Sequence, residues 1–498
     1  MSGTRAVLGI DLGTSQLKAL VATPDGQVLG RGRATYPIDV PADGHAETDP
    51  EAWWRAAGIA VREALGEAGN ADVTAIALAG QMHGVVLAGH DGLPARPAIL
   101  WLDRRACAEA ARYEQLPARL TAPLGNQPSP GMAGPVLCWL ARHEPGAIGQ
   151  ARWALQPKDW LRLRLTGHAA TDPTDASGTL LFDQRRGTWA GDLIAALGLP
   201  GDKLPEILDP AAIAGRLLEA PAAELGLRPG IPVATGAADT AAALFAVVDG
   251  DNSKRRSGRG SDGGSENEAL LTLGTGGQWI IPESGFRPTE ATNLFRAVGG
   301  GYYRLAPAQN VGSTLDWVRR TLGFGWQDLY DTAARPWHAG TPVFLPYLTA
   351  ERFAGPAYGS WAGLTLAHQK TDLARAALEG VAFLLNDRLE DLRAAGHRPA
   401  SVILGGGGTR HPAWRQLLAD VLGLPLRPAP TSWLSPAGAA LIAAMATGAR
   451  RVRSEHGKGE VVAPGERSAV IAAYGRFLTQ KSLCAHNSAG PEIGVSTS

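Results

Sequence analysis

The segment AVLGIDLGTSQLK, residues 6–18, confines the fold of this chain more than any other. An apolar run of strand-forming residues ends on Asp11 and turns at once through Gly13, Thr14 and Ser15, which reads as strand, tight turn, strand. A carboxylate thus stands at the carboxyl end of an otherwise buried strand. Residues 270–277, LLTLGTGG, repeat the Leu-Gly-Thr turn without the acid. Such turns offer backbone N–H groups and hydroxyls, the donors that gripping a chain of phosphates requires. Two copies predict two similar halves.

Length agrees with that division, because 498 residues exceed what one ordinary core organises. After the first turn, two further apolar runs are bridged by Asp25-Gly26, which predicts antiparallel pairing. Asp49-Pro50-Glu51 has the form of a capped helix start, with Trp53, Trp54 and Ala57 opening an apolar face. A strand over Val73–Ala79 follows, and strands and helices alternate from there, so the class is α/β. Ligands of such sheets bind beyond the carboxyl ends of strands. Asp11, Gln81 to His83, Asp239 and Gly405 to Gly408 all follow apolar strand-like runs. Residues 249–268 carry no apolar side chain and are expected to be a mobile insert; the tail after Phe477 shows no periodicity and is expected to be disordered.

Equal numbers of basic and acidic residues, 47 each, argue against nucleic acid or an anionic membrane surface as partner. Three scattered cysteines, Cys107, Cys138 and Cys484, form neither a disulfide framework nor a zinc site. Neither a signal sequence nor a run of 18 uncharged apolar residues is visible, so a cytoplasmic protein acting on a small molecule is expected.

Asp239 lies in GAADTAAA, where a lone carboxylate among small apolar residues is costly unless it is used, although it would also serve as a helix N-cap. Gly405 to Gly408, followed by Arg410 and His411, permits close backbone approach to a flat or anionic ligand; a plain glycine loop is the simpler alternative. Gln81, Met82, His83, Trp101 and Asp103 supply polar and apolar groups suited to reading hydroxyls. Lys158-Asp159-Trp160 and the run Asp172 to Gly178 read equally well as helix and turn caps.

Taken together, GIDLGTS, AGQMHG, AILWLDRR, QPKDWLRLRLTG, DASGT, LLTLGTGG, FLPYLTAER and GLTLAHQKTDLARAALEG resemble the FGGY carbohydrate kinases, most closely their xylulokinase branch. The resemblance implies two actin-like (RNase H-like) α/β ATPase domains with sugar and ATP bound in a cleft between them, here expected over residues 1–240 and 241–480, before a disordered tail at 481–498. It implies ATP-dependent phosphorylation of D-xylulose to D-xylulose 5-phosphate with Mg²⁺, a related ketose or polyol being the alternative substrate. By the same resemblance Asp239 is the general base, and Asp11 is the acid at the metal and phosphates. Gln81, Met82, His83, Trp101 and Asp103 then contact sugar. Thr14, Ser15, Gly274, Thr275, Gly276 and Gly312 hold phosphate, and Gly407, Gly408 and His411 lie on the adenosine side. The family often forms homodimers. Two positions depart from its pattern: Val136 stands where a signature lysine is usual, and Phe353-Ala354-Gly355 replaces a Thr-Pro-His run.

Overall fold

The computed structural model describes residues 3–247, 268–349, 351, 358–449 and 460–487. The mobile insert expected at 249–268, apart from Glu268, which begins a strand, and the Phe353–Gly355 departure lie outside the described residues. Two compact units are present. The first comprises Met1–Asp262, Pro282–Arg304 and Trp433–Glu455, and the second Gly263–Ile281, Leu305–Ser432 and His456–Ser498. The chain therefore passes between units several times, so neither is one uninterrupted stretch.

In the first unit, β1 (Thr4–Leu12), β2 (Gln16–Ala22) and β3 (Val28–Thr35) form an antiparallel meander, as the Asp25-Gly26 turn predicts. Helix α1 (Pro50–Ala68) begins as its sequence implies, with Asp49 accepting a hydrogen bond from the Glu51 amide at 3.0 Å. It leads into β4 (Ala71–Gly80), parallel to β1. Helix α2 (Pro157–Thr166), the short helix α3 (Pro173–Ala176), β5 (Ile213–Arg216), β6 (Pro232–Ala234), β7 (Ala237–Ala238) and α4 (Asp239–Val247) follow. The sheet order is β5-β6-β4-β1-β2-β3, with β7 paired to the end of β4.

Alternation along β1 explains how both faces are covered. Leu8, Ile10 and Leu12 share a core with Trp53, Ala57, Ala60 and Ala64 of α1. Gly9 faces the other way, where a Cβ would stand 2.1 Å from the Pro436 carbonyl. The buried strand is thus sandwiched, and its exit at Asp11 is one of the few places where it presents chemistry. A separate cluster buries Val136 completely, beside Leu137 and Leu140, so an apolar residue suits that position.

The second unit repeats the motif. Strand β8 (Glu268–Leu273) pairs antiparallel with β9 (Gly277–Glu283) and parallel with β11 (Ser401–Gly405), between β10 (Tyr302–Ala308) on one side and β12 (Leu426–Pro428) on the other. Helices α5 (Gly312–Leu322), α6 (Trp326–Asp331), α7 (Lys370–Ala394) and α8 (Pro412–Leu422) cover it. Helix α9 (Leu434–Ala446) returns to the first unit.

The tail is not disordered where it is described. Helix α10 (Ser468–Asn487) carries the chain ten residues past Phe477. Val470, Ala473 and Phe477 recur at helical spacing and are buried in the second core. Lys481, one turn on, reaches Asp387 at 2.5 Å, and Cys484 packs half-buried against the same core, so the helix stays docked beyond Phe477. No helix among the described residues is long and apolar enough to cross a membrane.

Candidate active site

In the first unit the β1–β2 hairpin sets Asp11 opposite Lys18, one pair before the end of the ladder. Asp11 is buried, and its Oδ1 has no hydrogen-bond partner among the described residues. Burial pushes its carboxyl above the usual range, with the Lys18 charge pulling back. Lys18 went unnoticed in the motif; hairpin register across the Gly-Thr-Ser turn is the signal that finds it.

Asp239 is the first residue of α4, at the end of β7, and its Oδ1 accepts from the Thr240 amide at 2.6 Å. Asp239 thus stands inside the helix start and takes the next amide, not the amide two or three residues on that a helix cap takes. Burial, then the negative charge of Asp11, pushes its carboxyl up to about 7, against the Thr240 N–H and Lys18. A carboxylate poised there exchanges a proton near neutral pH. Gly236 makes this placement possible: at φ 87°, a Cβ on it would stand 2.1 Å from the Leu78 carbonyl, so the backbone reaches Asp239 only through glycine.

The end of β4 joins them. Gln81 donates to the Gly13 carbonyl at 3.3 Å, and Trp101 Nε1 donates to Thr14 Oγ1 at 2.9 Å. Thr240 Oγ1 lies 3.2 Å from Met82 Sδ and 2.6 Å from the Tyr303 hydroxyl. His83 has left-handed backbone, φ 74°, held by its amide donating to Gln156 Oε1 at 2.9 Å and its Nδ1 at 2.7 Å from the Gly178 carbonyl. A carbonyl only accepts, so Nδ1 carries the proton. Strain of this kind in a non-glycine residue persists only where its surroundings enforce it. Asp11, Thr14, Gln81, Met82, Trp101 and Asp239 are thus tied into one region of the first unit by bonds or by charge. Asp103 is held differently: its oxygens accept from the Ala46 amide at 2.6 Å and from Arg105 at 2.8 and 2.9 Å, which occupies both. Ser15 is exposed on the turn. Tyr303 and Thr240 have no motif that marks them.

In the second unit a cavity of about 810 Å³ is lined by Gly274, Thr275, Gly312, Gly407, Gly408 and His411, among others. That volume suits a nucleotide-sized ligand. Gly312 opens α5 against the repeated turn, where a Cβ on it would meet the Gly274 carbonyl at 2.0 Å, and the Ser313 amide donates to the Thr275 carbonyl at 2.9 Å. Gly276, the next residue of the turn, instead packs toward the Ala308 carbonyl. Trp326, Tyr330 and His411 line the same cavity as a stacked series, with centroids 5.6 and 5.7 Å apart. His411 Nε2 lies 2.9 Å from Gln327 and 3.1 Å from Asp331.

The profile of the FGGY family of carbohydrate kinases matches this chain twice, its N-terminal domain over residues 6–246 and its C-terminal domain over residues 269–447. The chain belongs to the FGGY family, with its two-domain fold, and is a sugar kinase that uses ATP. It is similar to the xylulose kinase of Escherichia coli (strain K12), 36% identical over 425 residues that cover 84% of each chain. Among solved structures it is similar to a xyloylose kinase from Brucella ovis, at 30% identity and TM-score 0.85 over 97% of this chain and 100% of that one. A ligand-bound xylulose kinase from Lactobacillus acidophilus matches at 25% identity and TM-score 0.85, over 97% of this chain and 98% of the other.

Proposed function

We propose that the chain transfers the γ-phosphoryl group of ATP to D-xylulose, giving D-xylulose 5-phosphate and ADP, with Asp239 as general base. Similarity to several xylulose kinases over most of their length supports the sugar. The observation that carries the base is Asp239 itself, a carboxyl raised to about 7 by burial and the charge of Asp11, next to Thr240, whose hydroxyl reaches Met82. As the sugar hydroxyl oxygen bonds to phosphorus and the bond to the β-phosphate oxygen breaks, Asp239 takes the hydroxyl proton. Phosphoryl transfer otherwise asks a protein for positioning and charge stabilisation. Met82 and His83 would orient the sugar. Thr14, Gly274, Thr275 and Gly312 would hold phosphate, and Gly407, Gly408 and His411 the adenosine.

Asp11 fits a divalent cation, because a buried carboxylate with an oxygen lacking any hydrogen-bond partner is a suitable hard ligand. Mg²⁺ bound there would neutralise charge on the nucleotide phosphates. Asp159, Asp172 and Asp175 also cluster closely enough to ligate a metal, but the Lys158 ammonium already stands among them.

ADP release with Mg²⁺ and ATP, measured over D-xylulose, D-ribulose, other ketoses and glycerol, tests the substrate. D-xylulose is expected to give the highest kcat/KM; another sugar that outruns it overturns this choice and leaves the kinase assignment standing.

A further inference from the structure

Asp172 caps the short helix α3, as its sequence allows, with Oδ1 accepting from the Thr174 amide at 2.8 Å, and the region from Lys158 to Ser177 also encloses five ionisable side chains with no solvent access. Lys158 Nζ lies 2.6 Å from Asp159 Oδ1, 2.7 Å from Asp172 Oδ2 and 3.1 Å from Asp175 Oδ2, and Arg162 lies 2.9 Å from Asp159. A buried ionic cluster is costly to assemble and is seldom the best way to add stability. Its hydrogen bonds lead to Asp239.

Two of them grip the backbone that delivers that residue. Arg162 Nη1 donates to the Thr235 carbonyl at 2.7 Å. Three residues on, the Ala238 amide donates to Thr174 Oγ1 at 2.8 Å, and that hydroxyl donates to Asp172 Oδ1 at 2.5 Å. The stretch between them runs through Gly236, whose amide donates to the Pro210 carbonyl at 3.0 Å, and through β7 on the end of β4, so the Thr174 bond is the last hold on the backbone before Asp239. The same region braces the other wall: Lys158 abuts Gly80, where a Cβ would come 2.7 Å from the lysine's own, while Gln156 and Gly178 hold His83. Charge balance agrees. Burial and the neighbouring Asp159 and Asp172 push Asp175 well above the carboxylate range despite Lys158, and a neutral Asp175 leaves two anions for two cations.

We propose that Thr174, anchored by the Lys158 and Asp172 pair, is a positioning residue for the phosphoryl-transfer step: it fixes the Ala238 amide and through it the stance of Asp239. The proposal rests on Asp239 being the base.

Thr174→Val keeps the side-chain shape and removes both hydroxyl bonds. With D-xylulose and MgATP it is expected to lower kcat about 10- to 100-fold while both KM values stay within about twofold, since a small misplacement of a reacting group has that cost. Thr174→Ser should return to within about threefold of the parent, because it restores the hydroxyl. In an Asp239→Asn background Thr174→Val should change the residual rate less than about twofold, as coupled residues do. Should the valine variant fail to fold, Thr174→Ala takes its place in each comparison. An unchanged kcat in the valine variant, a serine variant as slow as valine, or an undiminished effect without Asp239 overturns the positioning role. Normal turnover in Asp239→Asn alone would instead remove the base, and this proposal with it.

Discussion

The two Leu-Gly-Thr hairpins share one design and differ in one pair of residues. In each, a strand folds back antiparallel through a short turn while pairing parallel with a later strand on its other side. One step before the turn the first hairpin pairs Asp11 with Lys18, and the second pairs Thr272 with Gln278. The absent acid is therefore a whole charged pair replaced by a neutral one. Gripping phosphate needs only the turn, whereas attracting a cation and tuning a neighbouring carboxyl needs charge. Asp11 raises Asp239 by its own negative charge, and Lys18 restrains the rise.

The largest effect expected is that of Asp239→Asn. It should lower kcat about 10²–10⁴-fold, the usual worth of a general base, with ATP affinity by calorimetry nearly unchanged. Loss of ATP binding in step with kcat would shift the residue to the nucleotide side.

The hairpin comparison itself is sharpened by a pair of variants. Asp11→Asn should cost about 10²-fold in kcat and raise the Mg²⁺ concentration needed for half-maximal rate, in the range that lost charge stabilisation gives. Thr272→Val, the same step in the other hairpin, should change kcat less than about threefold, as substitutions outside such features do. Equal losses in a Mg²⁺ titration of the two would break the distinction.

Gly312→Ala probes the second turn. Its Cβ would run into the Gly274 carbonyl, so overpacking of about 1–3 kcal/mol is expected in thermal or urea unfolding. The KM for ATP should rise with it while the sugar KM holds.

A smaller effect concerns stability and pH. Asp239 titrates near its ordinary value when unfolded and near 7 when folded, so the native state holds the extra proton between. The parent should therefore lose stability relative to Asp239→Asn as pH rises from about 4 to about 7, and the gap should stay constant above that. Scanning calorimetry across that window checks the sign.

Candidate residues stand out in the sequence where acids and glycines interrupt apolar strands, as at Asp11, Asp239 and Gly405 to Gly408; the structure sets Asp11 within electrostatic reach of Asp239 and brings Gly407 and Gly408 to the cavity wall. The hairpins and the capped start of α1 followed from local turn and cap chemistry. What escaped depends on distance along the chain. Tyr303 meets Thr240 from 63 residues away, and Thr174 reaches Ala238 across 64, neither with a local pattern to announce it. Lys158 looked like a cap because only folding brings Asp172 and Asp175 around it. For Asp103 the sequence shows a candidate sugar contact but hides the Ala46 amide, 57 residues earlier, that donates to one of its oxygens. The tail was misread for a different reason. Past Phe477 its hold thins to the Lys481–Asp387 ion pair and the half-buried Cys484, too sparse a pattern to read as helical periodicity.

The central claim is that a carboxyl raised by burial and by Asp11 takes the substrate proton. The pH dependence of kcat/KM for D-xylulose tests it most directly, because that ratio reports the ionisation of the free enzyme. The account predicts a rising limb that bends near pH 7 and moves to lower pH in Asp11→Asn, where the like charge is gone. A limb bending near 4, or one that stays in place when Asp11 is neutralised, would contradict it.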